Sequence, residues 1–416
     1  MKTKLLTICI LLNTILCFGN PSFKCTIKGA IINRNSKVLY LTKASDARDA
    51  NRQVIDIKDN AFEYTFDVTE TEAYQLIFKD EIDHGSWHPV IFFPVGGGIS
   101  FKIYDMENSG KNEVTGGKLN KELYNFLSMQ KTTFDPEYKV LKDKEDILTK
   151  NHEYRSAAYD SVIAALSNKS HDKVDRSVYL KLAELRKTGD EYTPKGKLLS
   201  LESKAIARRV NKWKYAYINK NLNEFSYYLM LQDAFYSKDR PDVAEEMNKA
   251  YPAYAAKFPQ HSYTKIIGNE LNSLFKIKVG QQIMDLTASD LSGRSYQLSE
   301  LSKGKITLID LWGSWCGPCI SATRTMLPIY YEFKDKGFTL VGIAREFKST
   351  NDLANALKRE KYPWINLVEM DDKNEIWNKF GISNGAGMMV LVDKDGKIIA
   401  INPTDAEVKK AIIERI

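Results

Sequence analysis

Apolar and polar residues alternate in short runs over residues 20–116. Phe62, Tyr64 and Phe66 are separated by single polar residues, which is the pattern of a strand with one buried face. Comparable runs are found at residues 23–32, 38–41, 74–78, 90–93 and 99–103, and residues typical of turns separate them. Many short strands joined by turns predict an all-β sandwich or barrel.

The hydrophobic period lengthens to that of an amphipathic helix over residues 117–273. Leu119, Leu123 and Phe126 follow helical spacing, and glycine becomes rare. Helices are predicted at residues 154–166, 178–185, 198–219, 223–235 and 241–256. The region contains no recognisable group of catalytic side chains, so we expect a helical spacer or docking layer.

Residues 274–416 alternate between strand and helix patterns. Strands are predicted at residues 306–312, 338–344, 390–393 and 397–401, and helices at 320–336, 351–360 and 405–415. Strands interleaved with helices predict a mixed sheet that is covered by helices on both faces. The chain is therefore expected to be a multidomain protein whose last part is α/β.

Composition places the chain among folded proteins and argues against nucleic-acid binding. Of the 416 residues, 43% are hydrophobic and 27% are charged, values that are usual for globular domains. The net charge of +7 is small for this length, and the charges of both signs are mixed along the chain. We therefore expect no nucleic-acid partner.

Residues 1–19 have the pattern of a secretory signal peptide. Two lysines precede an apolar run at residues 5–16, and Gly19 supplies a small residue for cleavage. The run is shorter than the roughly 20 apolar residues that span a bilayer. Export to the periplasm or the cell envelope is therefore expected, with a lipid anchor at Cys17 as an alternative.

Cysteine usage favours a working redox pair over a disulfide framework or a metal site. After the predicted cleavage site the chain keeps Cys25, Cys316 and Cys319. A zinc site would need a second ligand pair, and no histidine follows His261. Cys25 lies in an alternating strand and is expected to pack as a small apolar residue. We therefore expect no metal and no cofactor.

Cys316 and Cys319 lie between a predicted buried strand and a predicted helix, separated by Gly317 and Pro318. Cysteines at this spacing can form a reversible disulfide, and the helix N-terminus favours the thiolate of Cys316. Because the thiolate is the attacking species in exchange, Cys316 is expected to attack and Cys319 to resolve the mixed disulfide. Pro318 is expected to rigidify the turn and Trp315 to cover the pair.

Asp310 is a carboxylate inside the apolar strand that leads to the pair, six residues before Cys316. A carboxylate in that position is expected to be buried, with a raised pKa. Such a group can take the proton from Cys319 as that cysteine attacks the mixed disulfide. The alternative is an aspartate at the strand end that faces water.

The segment from Trp315 to Cys319, together with Asp310 and Trp312, resembles the thioredoxin active site. The spacing of Gly280, Leu286, Gly293 and Leu298, and the turn at residues 392–398, resemble the TlpA/ResA-type branch of exported thioredoxin-like proteins. This resemblance covers residues 277–416. It implies a thioredoxin-like domain at 274–416 that exchanges dithiols and disulfides with client proteins in the periplasm, behind an N-terminal β-domain of unknown function.

Two positions depart from that family's pattern. The family has a cis-proline before the strand at residue 390, facing the cysteines, whereas residues 385–389 contain no proline. Gly387 or Met388 is expected to take its place in aligning the substrate chain, and Met388 and Met389 either contact substrate or pack in the core. The family's proline five residues after the second cysteine is also absent, and Pro328 follows Cys319 by nine. An altered first helix is therefore expected.

The resulting functional prediction is a periplasmic thiol–disulfide oxidoreductase that reduces protein disulfides. Glycine and proline between the cysteines resemble reducing thioredoxin, whose potential is about −270 mV. The expected partners are client proteins with disulfides and a membrane-linked thiol electron donor. The alternative is an envelope protein that binds a partner or a glycan and carries a regulatory or weakly active thioredoxin-like domain.

Overall fold

The computed structural model describes residues 22–46, 52–85, 88–167, 176–236, 240–382 and 387–416. The predicted signal peptide and Cys17 lie outside these ranges. Backbone contacts divide the chain into two compact units, Met1–Pro136 and Glu137–Ile416. No helix in the described ranges is both long enough and apolar enough to cross a membrane.

The first unit is a β-sandwich, as the alternating pattern predicts. Its strands are β1 (Phe23–Ile32), β2 (Val38–Lys43), β3 (Gln53–Asp56), β4 (Ala61–Val68), β5 (Tyr74–Phe78), β6 (Val90–Phe92), β7 (Ile99–Tyr104) and β8 (Glu113–Thr115), with a short helix α1 (Lys79–Asp83) after β5. In the described residues they form two four-stranded sheets of order β4-β1-β7-β8 and β3-β2-β5-β6. The inward-facing side chains of both sheets make one core.

Cys25 lies in this core and is fully buried. Burial raises the pKa of its thiol, so the thiol stays protonated near neutral pH. A buried, protonated thiol is a poor nucleophile. The position is therefore consistent with the packing role that we expect for Cys25.

The helices that follow carry the central part of the chain. They are α2 (Lys118–Lys150), α3 (Ala157–Ser167), α4 (Arg176–Thr188), α5 (Pro194–Lys220), α6 (Glu224–Tyr236), α7 (Pro241–Lys257) and α8 (Ser262–Lys276). Helix α2 begins in the first unit and ends in the second. Aromatic side chains pack between the later helices, and the Tyr254 hydroxyl donates to the carbonyl of Ile218 at 2.7 Å. The predicted helical region is thus confirmed.

The last part of the chain is a mixed sheet with helices on both faces, as predicted. Its strands are β9 (Thr287–Ser289), β10 (Ser295–Gln297), β11 (Ile306–Trp312), β12 (Phe338–Glu346), β13 (Ile365–Met370), β14 (Met388–Val392) and β15 (Ile398–Ile401). Its helices are α9 (Leu298–Ser302), α10 (Gly317–Phe333), α11 (Asn351–Glu360), α12 (Ile376–Lys379) and α13 (Asp405–Ile413). The sheet order is β10-β9-β13-β12-β11-β14-β15, which places β11 beside β12 and β14.

Strand β11 is buried along its whole length, with β12 parallel to it and β14 antiparallel. Because side chains alternate between the faces of a strand, Leu308, Asp310 and Trp312 share one face. Leu308 and Trp312 pack in the core that includes residues of α10, α11 and α13. Ile309 and Leu311 pack in the core on the opposite face. The alternation therefore directs the one carboxylate of β11 toward the α10 side of the sheet.

Helix α8 packs directly on this sheet domain. The Ser273 hydroxyl donates to the carbonyl of Phe380 at 3.1 Å, and Ile277, just after α8, lies in the core on the face away from α10. A Cβ atom on Gly381 would lie 1.9 Å from the Ser273 oxygen, so this close approach requires glycine. The end of the helical region is thus part of the packing of the α/β part.

Candidate functional site

Cys316 and Cys319 are joined by a disulfide at the start of α10, with their Cα atoms 5.3 Å apart. Cys316 is the N-cap residue, and its sulfur accepts the backbone N–H of Cys319 at 3.2 Å. Gly317 and Pro318 open the helix, where a missing proline N–H leaves no helical hydrogen bond unmade. The unpaired N–H groups of the first turn are therefore oriented to stabilise negative charge on the Cys316 sulfur.

Exposure by itself does not identify the attacking sulfur. With the disulfide closed, Cys316 is only 3% exposed, whereas Cys319 is partly buried. Cys319 packs against the core on the α10 side of the sheet. The assignment of Cys316 as nucleophile thus rests on its position at the helix N-terminus and on the N–H that its sulfur accepts.

Asp310 faces the protein interior and is 2% exposed. Its Oδ2 accepts a hydrogen bond from the Thr323 hydroxyl at 2.6 Å. Burial raises the pKa of Asp310 to about 7, although the Thr323 bond acts to lower it. A carboxyl group that titrates near neutral pH can both accept and return a proton under physiological conditions.

The turn between β11 and α10 is held by the end of β12. Glu346 is buried and accepts hydrogen bonds from the Ser314 backbone N–H at 2.8 Å and from the Ser314 hydroxyl at 2.7 Å. The Trp315 ring donates through Nε1 to the Arg345 carbonyl at 2.9 Å and lies beside Phe347. These bonds fix the residues that lead into the cysteine pair.

Trp315 remains 49% exposed. The contacts that define its ring position are with the end of β12 and with Phe347 beyond it. Its role in covering the cysteine pair remains a prediction. An exposed aromatic ring on the turn that leads into the cysteine pair also offers an apolar surface to a substrate chain.

Gly387 brings the chain backbone against both β11 and the cysteine pair. A Cβ atom at this position would lie 2.1 Å from the Leu311 carbonyl oxygen and 3.0 Å from the Cys319 sulfur. Met388 and Met389 follow at the start of β14, and both pack against core residues. Because any side chain would overlap the Leu311 carbonyl, glycine is the residue that permits this approach.

The described residues contain no cis peptide bond; their ranges break after residue 382 and continue at Gly387.

Helix α10 begins and ends three residues earlier than the predicted helix at 320–336. It continues through Pro328 to Phe333, so the proline lies inside the helix rather than at its end. Proline removes one N–H from the helical hydrogen-bond series, and the carbonyl four residues earlier loses its partner. The helix thus extends well beyond the first turn, where the cysteines and Thr323 lie.

Comparison with known proteins accounts for the C-terminal part of the chain. Residues 278–414 match the model of the Redoxin family. The C-terminal domain is a redoxin domain. The match begins after α8, so the β-sandwich and the helices α2 to α8 lie outside it.

Relatives of the redoxin domain include thiol–disulfide oxidoreductases. The chain is 28% identical over 124 residues to the thiol-disulfide oxidoreductase ResA of Bacillus thuringiensis subsp. konkukian, covering 30% of this chain and 69% of that protein. It is 27% identical over 129 residues to a thioredoxin-like protein of Haemophilus influenzae, covering 31% of this chain and 73% of that protein. The predicted resemblance to ResA-type proteins is confirmed, and with it the oxidoreductase family of the domain.

Similar solved structures include the thioredoxin domain of a thiol-disulfide oxidoreductase from Bacteroides vulgatus. It is 30% identical, with a TM-score of 0.31, and covers 33% of this chain and 96% of that one. A thiol:disulfide interchange protein from a Bacteroides species is 29% identical, with a TM-score of 0.30, and covers 33% of this chain and 89% of that one.

Two features of the redoxin domain could not be read from spacing alone. Arg345 and Glu346 are adjacent charged residues at the end of an apolar strand. Such residues ordinarily indicate a strand end that faces solvent. Instead, Glu346 binds the Ser314 turn, and Arg345 makes two 2.7 Å hydrogen bonds to Asp372 in a buried ion pair. The only signal in the sequence is the adjacency of two charges after an apolar run.

Replacing Gly387 by alanine is expected to slow disulfide exchange by the redoxin domain at least about tenfold and to cost about 1–3 kcal/mol of stability. The added Cβ atom would overlap the Leu311 carbonyl, so the start of β14 must move away from β11 and from the Cys319 sulfur. Insulin reduction and thermal unfolding measure the two effects.

The matched control for this substitution is Gly96→Ala in the β-sandwich. A Cβ atom there meets nothing within 4 Å, and the glycine does not have a positive φ. A Gly387→Ala protein as active and as stable as the Gly96→Ala protein would show that the close approach of Gly387 has no role in exchange.

Proposed function

We propose that this protein is an exported thiol–disulfide oxidoreductase that reduces disulfide bonds of client proteins in the periplasm or at the cell envelope. The observation that carries the proposal is the Cys316–Cys319 disulfide at the N-terminus of α10, where Thr323 links the Cys319 carbonyl to the buried carboxyl of Asp310. A helix N-terminus favours the thiolate of the attacking cysteine. A nearby acid that titrates near neutral pH can take the proton of the resolving cysteine.

The reaction begins from the dithiol form of the protein. The Cys316 thiolate attacks one sulfur of the client disulfide, so that a mixed disulfide forms and the other client sulfur leaves as a thiolate. N–H groups at the start of α10 stabilise the attacking thiolate, and the Cys319 N–H is one of them. The departing thiolate takes a proton from solvent.

Cys319 then resolves the mixed disulfide. The Asp310 carboxylate accepts the Cys319 proton, and the resulting thiolate attacks the Cys316 sulfur. The S–S bond to the client breaks, and the second client sulfur leaves as a thiolate that takes up the proton returned by Asp310. The client has gained two electrons and two protons, and the protein holds the Cys316–Cys319 disulfide. A dithiol donor linked to the membrane must return two electrons before the next cycle.

Gly387 and Met388 are the backbone positions proposed to align the client chain. Gly387 lies against the Cys319 sulfur, where the absence of a side chain leaves the peptide groups accessible to an extended substrate. The exposed Trp315 ring lies on the turn that leads into the pair and offers apolar contact. The site thus combines a backbone edge with an aromatic surface, which suits a protein chain as substrate.

Export is proposed from the N-terminal sequence. The lysines, the apolar run at residues 5–16 and Gly19 together form a signal-peptide pattern. A compartment outside the cytosol contains proteins with disulfides, which are the substrates that this chemistry requires.

Equilibration with glutathione tests the direction of transfer. The protein is expected to have a potential near the thioredoxin value of about −270 mV, measured as the fraction of Cys316–Cys319 disulfide after acid quenching and alkylation. Cys25→Ser protein serves as the control, since its fully buried thiol should not affect the measurement. A potential above about −150 mV would make the protein an oxidant and overturn the reductase assignment.

A further inference from the structure

Thr323 lies between the buried acid and the second cysteine. Its hydroxyl oxygen is 2.6 Å from Asp310 Oδ2 and 2.9 Å from the carbonyl oxygen of Cys319. The side chain is fully buried. No other hydroxyl of the described chain has this position, in which one oxygen contacts both the proton acceptor and the peptide of the resolving cysteine.

The local geometry follows from the chain. Thr323 is four residues after Cys319 in α10, so both lie on the same helical face. A β-branched threonine in a helix has few rotamers, and its hydroxyl commonly bonds the carbonyl four residues back. That rotamer also directs the hydroxyl toward β11, whose Asp310 faces α10. Helix periodicity thus places the hydroxyl at the Cys319 carbonyl, and the packing of α10 on β11 brings it to Asp310.

A threonine hydroxyl has one hydrogen to donate and two lone pairs that accept. When Asp310 is ionised, the hydrogen goes to the carboxylate. When Asp310 is protonated, its O–H donates to the Thr323 oxygen, and the Thr323 hydrogen turns to the Cys319 carbonyl. Both protonation states of the acid are therefore fully hydrogen-bonded, although the site is closed to solvent.

We propose that Thr323 is a positioning residue that prepares the Asp310 carboxylate to accept the proton of Cys319, a role that rests on the proposed function. Its hydroxyl stabilises the charged form before the proton is transferred and accepts a bond from the acid afterwards. Without the hydroxyl, the buried carboxylate would lose the hydrogen bond from Thr323 and would cost more to form.

The other groups around Asp310 leave this role to Thr323. On the adjacent strands its register partners are Gly342 and Met389, which carry no charge. The nearby phenol of Tyr362 has its pKa raised to about 12 by burial, so it is neutral over the working range. From α10, the titrating group is the Cys319 thiol of the open form.

Removing the hydroxyl should therefore shift the pH dependence of resolution upward. The Thr323 bond acts to lower the pKa of Asp310, against the burial that raises it. Thr323→Val keeps the β-branched shape and deletes this bond. A hydrogen bond to a charged group is worth enough to move the midpoint by about one pH unit.

Resolution can be measured with an aromatic disulfide in place of a client. The dithiol protein attacks 5,5′-dithiobis(2-nitrobenzoate) through Cys316 and releases one coloured thiolate. Cys319 then attacks the Cys316 sulfur of the mixed disulfide and releases the second. Stopped-flow absorbance separates the two steps and gives the rate of the second from about pH 5 to 10, a span that includes the midpoints expected for the acid.

The expected result for Thr323→Val is a second-step midpoint about one pH unit higher, with a rate about fivefold lower at pH 7 and an unchanged first step. Thr323→Ser should restore the original midpoint. The control is Thr325→Val on the same helix, where an exposed hydroxyl bonds the Ala322 carbonyl at 2.8 Å and does not contact Asp310. It should behave as the unaltered protein.

Two outcomes would overturn the proposal. One is a folded Thr323→Val protein with the original midpoint, and the other is an equal shift in Thr325→Val. If valine prevents folding, Thr323→Ala makes the same deletion with a smaller side chain and must move the midpoint in the same direction. An unaltered protein that fails to reduce insulin would overturn the proposed function. Because the probe is a small disulfide, the Thr323 variants could still be compared in that case, and the comparison would still test the role of Thr323.

Discussion

Cys316→Ser is expected to abolish insulin reduction, with a loss of roughly three orders of magnitude or more. A serine hydroxyl stays protonated at neutral pH and cannot form the mixed disulfide on which the exchange depends. The measurement is the turbidity of precipitating insulin B chain, with dithiothreitol as the electron donor. The loss should be present at every pH at which the protein is folded.

Cys25→Ser is the matched control, since it makes the same atomic change in a thiol that is fully buried in the β-sandwich. It should retain the activity of the unaltered protein. Equal activity in Cys316→Ser and Cys25→Ser would favour the alternative function, in which the first domains bind a partner or a glycan and the redox domain is regulatory. The two variants therefore distinguish an enzyme from a binding protein.

Asp310→Asn is expected to stabilise the redoxin domain at pH 8 by roughly 4 kcal/mol and to have little effect at pH 4. The folded pKa of about 7 lies above the ordinary value of 3.8. Below about pH 4 the carboxyl is protonated in both states. As the pH rises toward 7, only the unfolded chain loses the proton, so stability is lost across this range and the loss is complete above it. Asparagine cannot ionise and escapes that loss.

Hydrogen exchange of the β11 amides measures this effect, because it reports the opening free energy of one part of a chain with several domains. The exchange-derived free energies of the two proteins should converge toward pH 4 and separate toward pH 8. In the same variant, resolution by Cys319 should slow by about 10²-fold at neutral pH, since the proton acceptor is missing. A difference in stability that does not depend on pH would show that Asp310 is not a neutral buried acid.

The chemistry of the pair was accessible from the sequence because each part has a strong local signal. Strand β11 is an unbroken apolar run except for Thr307 and Asp310, and a proline at the helix start marks the beginning of α10. A lone carboxylate inside such a run is expected to be buried, with a water-facing position at the strand end as the alternative. Local patterns of this kind predict the strand, the helix start and the order of the acid and the cysteines along the chain.

The hydrogen-bond partners were not accessible in the same way. Thr323 has no distinguishing feature in an amphipathic helix, and its meaning appears only when α10 packs over β11. From its sequence context Glu346 would be expected to face solvent at the end of a strand. In the structure it accepts two hydrogen bonds from Ser314. Both depend on contacts between residues far apart in the chain, which no period of hydrophobicity encodes.

Some elements were missed because their patterns are weak. Strand β13 (Ile365–Met370) includes Asn366 and Glu369, which interrupt the apolar pattern of a buried strand. Helix α2 extends to Lys150 through a segment rich in lysine and glutamate, and it contains Pro136. Proline usually ends a helix, so periodicity alone would stop α2 too early.

The central claim is that Cys316 attacks and Cys319 resolves, and trapping the intermediate tests it most directly. Cys319→Ser protein, reduced and mixed with a disulfide-bonded substrate protein, should accumulate a covalent complex that dithiothreitol dissolves. Mass spectrometry after proteolysis should place the bond at Cys316. Cys316→Ser protein retains Cys319, whose sulfur lies inside the first turn of α10 rather than at its N-cap. It should form little of the complex. A stable complex through Cys319, or none through Cys316, would contradict this account.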